Sequence, residues 1–158
     1  MKIRSIKKED DLSLAKIIRT NLEFYNLAIP GTAYYDPELN HLSHYYEKSP
    51  RRNYFVVIEN NEIVGGVGIA EFQEDKNICE LQKLYLSDKA KGKGYSHQLM
   101  TTALNFAAKA GYAAVYLESH HSLTAALRLY QKYDFKSLPA PLLPTAHNAM
   151  DCFLLREL

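Results

Sequence analysis

Leu84-Tyr85-Leu86-Ser87-Asp88-Lys89-Ala90-Lys91-Gly92-Lys93-Gly94-Tyr95-Ser96-His97 is the stretch on which the reading of this chain turns. An apolar strand pattern runs into a loop with two glycines and three lysines, and a helix pattern starts at once. Glycine lets the backbone approach a ligand closely because it has no Cβ. The first turn of a helix offers N–H groups without intrahelical partners and the positive end of the helix dipole. Together these form an anion site suited to phosphate, and the lysines add charge. A solvated basic turn is the plain alternative. A nucleoside-triphosphate loop would need GxxxxGK followed by Ser or Thr, which Lys91 to Ser96 does not supply. A dinucleotide fingerprint would need three spaced glycines, and only Gly92 and Gly94 are present.

Upstream of the loop the residues alternate with strand period. Ile78 to Leu86 is the strand that feeds it. Ile63 to Phe72 precedes that strand, with Gly65 and Gly66 leaving room for a bend or a close approach. Asn60-Asn61 reads as a tight turn because asparagine tolerates positive φ, and Tyr54 to Ile58 is the strand before it. Downstream, Ser96 to Ala110 has helical spacing in Leu99, Ala103, Phe106 and Ala107, with Gly111 placed as its C-terminal cap. Ala113 to Leu117 is a strand and Thr124 to Tyr133 a helix, with Asp134 where a left-handed cap residue belongs. Phe135 to Leu138 is short and extended, Pro139, Pro141 and Pro144 stiffen a loop, and Met150 to Leu155 closes as a strand. At the other end lie a strand at Lys2 to Ile6 and a helix carrying Leu14, Ile17, Ile18, Leu22 and Tyr25. Asp36-Pro37-Glu38 predicts a second helix, with Asp36 as cap, Pro37 in the first turn, and Leu39, Leu42 and Tyr46 on its apolar face. The order predicts an α/β fold with a mixed sheet and helices on both faces, as one domain over residues 1–158.

With these elements in place, the chain resembles the GNAT acetyltransferases. Their hallmark, Gln/Arg-x-x-Gly-x-Gly/Ala between the fourth strand and the third helix, is matched by Lys91-Gly92-Lys93-Gly94-Tyr95-Ser96. Lys91 replaces Arg or Gln, and Ser96 replaces the last small residue. A second match, Ala126-Leu127-Arg128-Leu129-Tyr130-Gln131-Lys132-Tyr133-Asp134-Phe135, is similar to the family's Ala…Leu-Tyr-x-Lys-x-Gly-Phe segment. Here Asp134 replaces Gly, and Leu123 stands where the family has an Asn, removing one polar contact to the cofactor. The resemblance implies a GNAT-like, mostly antiparallel sheet of about seven strands with four helices on both faces. It also implies acetyl-CoA as acyl donor, bound by the backbone of Leu84, Tyr85 and Leu86 along its pantetheine arm. Lys91, Gly92, Lys93, Gly94, Tyr95, Ser96 and His97 would take its pyrophosphate. Within the family, Cys79-Glu80-Leu81-Gln82-Lys83, Tyr116-Leu117-Glu118 and the late His147, Asp151 and Cys152 are similar to small bacterial members. That group implies a free amino acid or similar small amine as acceptor.

An amine attacks a thioester only when neutral, so the site needs a proton acceptor, directly or through water. It also needs donors to the developing oxyanion and a proton for the departing thiolate. By resemblance Glu80 occupies the position of the family's base. On a strand Glu80 and Gln82 share one face and Leu81 and Lys83 the other. Apolar neighbours Ile78, Cys79 and Leu81 would raise its pKa towards a useful value; a solvent-facing or lysine-paired glutamate is the alternative. Tyr130 is the candidate acid for the thiolate, a role that rests on the family match, since helical spacing alone reads it as a core tyrosine. Tyr34, Tyr35 and His147 are candidates for the acceptor pocket.

The bulk properties exclude other classes. Nineteen basic and 18 acidic side chains nearly cancel, which removes the electrostatic case for nucleic acid or an anionic membrane. No apolar run approaches the ~20 residues needed to span a bilayer, and no signal-peptide pattern follows Met1. A cytoplasmic enzyme is therefore expected. Cys79 and Cys152 are read as buried free thiols. His41, His44, His120 and His121 make no metal-binding spacing, so no metal is expected. Many relatives pair as dimers, so a homodimer is one possible assembly. Two other functions stay open: a protein or peptide N-acetyltransferase, and a catalytically weak acetyl-CoA sensor.

Overall fold

A computed structural model describes all 158 residues. The sheet has seven strands: β1 (Lys2–Ser5), β2 (Asn53–Glu59), β3 (Glu62–Gln73), β4 (Ile78–Leu86), β5 (Ala114–Ser119), β6 (Lys136–Leu138) and β7 (Cys152–Glu157). Their spatial order is β1-β2-β3-β4-β5-β7-β6. Every neighbouring pair is antiparallel except β4 with β5. Four helices complete the chain: α1 (Asp11–Phe24), α2 (Leu42–Glu47), α3 (Tyr95–Lys109) and α4 (Thr124–Lys132).

The strand alternation divides the core into two layers. Tyr54 and Val56 of β2 join Leu14, Ile18 and Leu22 of α1 and Leu42 and Tyr46 of α2 on one face. Val57, Val64 and Val67 join Leu99, Met100 and Ala103 of α3 and Leu129 and Tyr130 of α4 on the other. Leu14, Ile18 and Leu99 are fully buried, each contributing about 1.5–3 kcal/mol by leaving water. The turns follow from local chemistry. Asn60 and Asn61 have φ of 51° and 63°, the paired left-handed conformations of a tight hairpin whose twist suits the strands. Asp134 at φ 62° ends α4, and the Phe135 N–H then returns to the Tyr130 carbonyl at 3.1 Å, fixing the turn that carries Tyr130.

Three expectations are corrected. Asp36 does not cap a helix. The segment makes short 3-10 turns at Ala33–Tyr35 and Leu39–His41, and α2 starts only at Leu42. The Asp36 carboxylate is instead drawn to Lys83 and His147. Cys79 is buried, but Cys152 is only partly so. Lys83 does not share a face with Leu81. Gly66 pairs with Tyr85 and Gly68 with Gln82, so Lys83 and Leu84 oppose the single residue Val67. At this bulge Lys83 has φ 50°, which breaks the two-residue alternation. Its side chain lines the same cavity as Glu80 and Gln82.

Candidate active site

The site forms where β4 and β5 part. They pair only through Ile78, Cys79 and Glu80, opposite Ala114, Val115 and Tyr116. Beyond Glu80 the strands diverge, and a slot of about 300 Å³ opens between β4, the glycine loop and α4. Leu84, Tyr85, Leu86, Lys91, Gly92, Ser96 and Tyr130 line it. The bulge is held from behind, since Tyr54 donates its hydroxyl to the Lys83 carbonyl at 2.7 Å. Asn21 of α1 donates to the Leu86 carbonyl at 2.8 Å.

The glycine loop leaves open space around both of its glycines. Gly92 and Gly94 have φ of 77° and 79°, and a Cβ at either would meet nothing within 4 Å. The backbone N–H groups from Gly92 to His97 engage no carbonyl of the chain, so they are available to an anion. The lysines contribute less than their number suggests. Lys93 is held by Glu59 at 2.9 Å, Lys91 by Asp88 at 2.9 Å, and Lys89 by Glu62. Lys93, Gly94, Tyr95 and His97 do not line the slot. Tyr95 donates to Glu59 at 2.8 Å, and His97 faces the Tyr133 hydroxyl at 3.2 Å. Backbone amides are therefore the main phosphate ligands this loop offers. Gly94→Val should abolish acetyl-CoA binding in calorimetry, because a branched side chain would lie over those amides. The strained φ itself costs about 1–2 kcal/mol, so the variant should melt only a few degrees lower. Unchanged affinity would place the phosphates elsewhere.

A second, smaller cavity of about 50 Å³ adjoins the slot. Leu81, Lys83, Tyr85, Glu118 and Met150 line both. Glu80 lies in the smaller one, where Gln82 donates to it at 2.7 Å and Tyr46 in turn donates to Gln82 at 2.6 Å. Burial raises the Glu80 pKa above the ordinary carboxylate range, and the charge of Glu118 adds to the effect. Tyr130 is buried and lines the slot, and burial lifts its hydroxyl well above the usual tyrosine value. His147 lines the smaller cavity and contacts Asp36 at 2.7 Å. Burial opposes its charge, yet the hydrogen bond it donates to Asp36 leaves its pKa raised. Burial also works to raise Asp36, but His147 and the charge of Lys83 outweigh it and hold the carboxyl below its ordinary range.

Tyr34 and Tyr35 fall outside this cavity. Tyr34 donates to Glu23 at 2.9 Å, and Tyr35 is 62% exposed; Ala33 supplies the wall instead. Lys83, Asp36 and Glu118 are the residues that sequence reasoning missed as a group. Elsewhere, the pairing of Ser119 with Cys152 brings His120 and His121 beside Asp151, with His121 Nδ1 at 2.5 Å from the carboxylate. That cluster ties the turn after β5 to the start of β7. A wider groove of about 940 Å³ lies by α2 and Ser5 to Lys8, lined mainly by polar side chains and sharing no residue with the slot.

A mostly antiparallel seven-stranded sheet with an amide cradle between the fourth strand and the third helix is the arrangement that the resemblance to the acetyltransferases implies. The sequence model of the acetyltransferase (GNAT) family matches residues 21–135. The chain belongs to the GNAT family. GNAT relatives extend over its whole length. It is 34% identical over 158 residues to the uncharacterized N-acetyltransferase YjgM of Escherichia coli, covering 99% of this chain and 94% of that one. An acetyltransferase of the GNAT family from Staphylococcus aureus superposes with a TM-score of 0.85 at 18% identity, over 99% of this chain and 98% of the other. YncA, an acetyltransferase from Salmonella typhimurium solved with acetyl-CoA, superposes with a TM-score of 0.76 at 18% identity, covering 99% and 93%. This GNAT protein is an acetyl-CoA-dependent N-acetyltransferase, with acetyl-CoA as its acyl-donor co-substrate. No helix is long and apolar enough to cross a membrane.

Proposed function

We propose that this enzyme acetylates the primary amine of a small molecule by direct attack, with Glu80 as base and Tyr130 as donor to the departing sulfur. The observation that carries the reading is a buried carboxylate of raised pKa in a small cavity that shares lining residues with the slot lined by Tyr130. Bound acetyl-CoA supplies a thioester carbonyl for the amine and a thiolate leaving group. Glu80, poised closer to neutrality than an ordinary carboxylate, takes the amine's proton, directly or through one water. Backbone N–H groups of β4 beyond the parting orient the carbonyl. The Tyr130 hydroxyl stays protonated at any working pH. A thiol's pKa is only ~8.5, so the tyrosine acts chiefly through a hydrogen bond that strengthens as sulfur gains charge.

A small acceptor fits better than a peptide, because the proline loop is tied across one side of the cavity. Thr145 donates to Glu118 at 2.7 Å, His147 meets Asp36, and the Ala149 N–H reaches the Gly31 carbonyl at 3.0 Å. The test is acetyl-CoA-dependent thiol release over free amino acids, polyamines, aminoglycosides and short peptides. Turnover should be confined to a few small amines. Tyr130→Phe should lower kcat by roughly 10²-fold and leave acetyl-CoA affinity nearly intact. Equal turnover in that variant would remove Tyr130 from the mechanism, and turnover of peptides alone would overturn the small-acceptor reading.

A further inference from the structure

We infer that Lys83 anchors a carboxylate of the acceptor, so that the amine acetylated here belongs to a small amino acid rather than to a diamine or a simple alkylamine. The inference rests on the smaller cavity being the acceptor site. Lys83 reaches that cavity only because its backbone is left-handed at the β4 bulge, a conformation rare for a residue with a side chain. Such outliers persist where the surrounding structure enforces them and cluster at functional sites. The side chain is 5% exposed, with Nζ at 2.7 Å from Asp36 and 3.9 Å from Glu38.

Asp36 would suffice to balance one cation, yet the fold brings two to it. His147 Nε2 lies 2.7 and 2.9 Å from its oxygens. An ammonium has three N–H donors, and the close contact to Asp36 uses one. Glu38, the only other carboxylate within 4 Å of Nζ, stands at 3.9 Å and is 32% exposed, so water screens it. Two groups able to carry positive charge, Lys83 and His147, thus face one buried carboxylate.

The opposite character is supplied by the strands. Glu80 is on β4, and Glu118 of β5 is held by Tyr116 at 2.8 Å and Thr145 at 2.7 Å. A zwitterion matches this polarity, with its ammonium towards Glu80 and Glu118 and its carboxylate towards Lys83 and His147. A diamine would set its second cation against Lys83. With about 50 Å³ of free volume, the cavity suits an amino acid of few heavy atoms.

The experiment compares kcat/KM for glycine, alanine, serine and aspartate with their α-carboxamides and decarboxylated amines, with putrescine included, in the wild-type enzyme and in Lys83→Met and Lys83→Arg. Charge-assisted hydrogen bonds of this kind correspond to roughly 10- to 100-fold in binding. Free acids should therefore exceed the matched amides by that factor. Lys83→Met should collapse the ratio by raising KM for the acids alone, and Lys83→Arg should retain most of it. Amides, alkylamines or putrescine turned over as well as the acids would overturn the anchor while leaving the transferase reading intact. So would a preference for acids that survives Lys83→Met. No turnover of any amine would overturn both. The wild-type comparison decides even if Lys83→Met does not fold.

Discussion

Glu80→Gln should lower kcat by about 10²–10⁴-fold, the contribution of a positioned general base. The carboxamide keeps the size of the side chain and an oxygen to accept the Gln82 hydrogen bond, so what is removed is the ability to take a proton. In the wild-type enzyme, activity should rise with pH through the Glu80 ionisation, at a pH above the ordinary carboxylate range because burial favours the neutral form. The variant should lose that rising limb. Stability should respond in the opposite sense. A carboxyl whose folded pKa is raised binds more protons in the native state than unfolded, over the window between the two values. Native stability therefore declines as pH increases through that window. The variant, lacking this ionisation, should be as stable as the wild type at neutral pH or slightly more so. Profiles of kcat and of melting temperature against pH, measured side by side, check both statements. An undiminished kcat would move the base elsewhere in the cavity.

Asp36→Ala should destabilise the fold by about 3 kcal/mol, since removing one partner of a buried ion pair strands the other. Lys83 would keep only Glu38 at 3.9 Å, which places the cost towards the lower end of what such losses produce. For a chain of this size the melting temperature should fall by ~2–4 °C per kcal/mol. The pH dependence has two sides. The lowered Asp36 pKa contributes stability that is present above the unfolded carboxyl value and lost as pH falls through the folded one. The raised His147 pKa contributes stability that is full below the unfolded histidine value and lost as pH climbs through the folded one. The wild-type minus variant difference should therefore be largest in mildly acid solution and shrink on both sides. Denaturant melts across pH test this, and a difference that stays within ~0.5 kcal/mol throughout would show that the three groups do not form a buried cluster in solution.

Much of the architecture was legible because its signals are local. Asn60-Asn61 and Asp134 could be assigned their left-handed turns from residue chemistry alone. The glycine loop could be placed at the head of α3 from its neighbours. The smaller cavity was less legible. Asp36 precedes a proline and mimics a helix cap, but its partner His147 lies 111 residues away. Lys83 was assigned to the wrong face because alternation holds only while pairing is regular, and the extra residue that β4 places opposite Val67 shows only once β3 is paired with it. Tyr34 and Tyr35 are pocket candidates in sequence, yet the 3-10 turn directs Tyr34 to Glu23 and leaves Tyr35 in solvent. The family resemblance pointed to Glu80 and Tyr130, whereas the charges around the smaller cavity depend on contacts no motif spans.

The three residue pairs that join β4 to β5 act as the spine of a half-open book, with β1 to β4 as one leaf and β5 to β7 as the other. On the function proposed above, a donor laid in the gutter would be gripped by both leaves and would become a wall of the smaller cavity, because Lys83, Tyr85, Glu118 and Met150 belong to both spaces. The acceptor's compartment would then be complete only after the donor is seated, which predicts ordered entry with acetyl-CoA first.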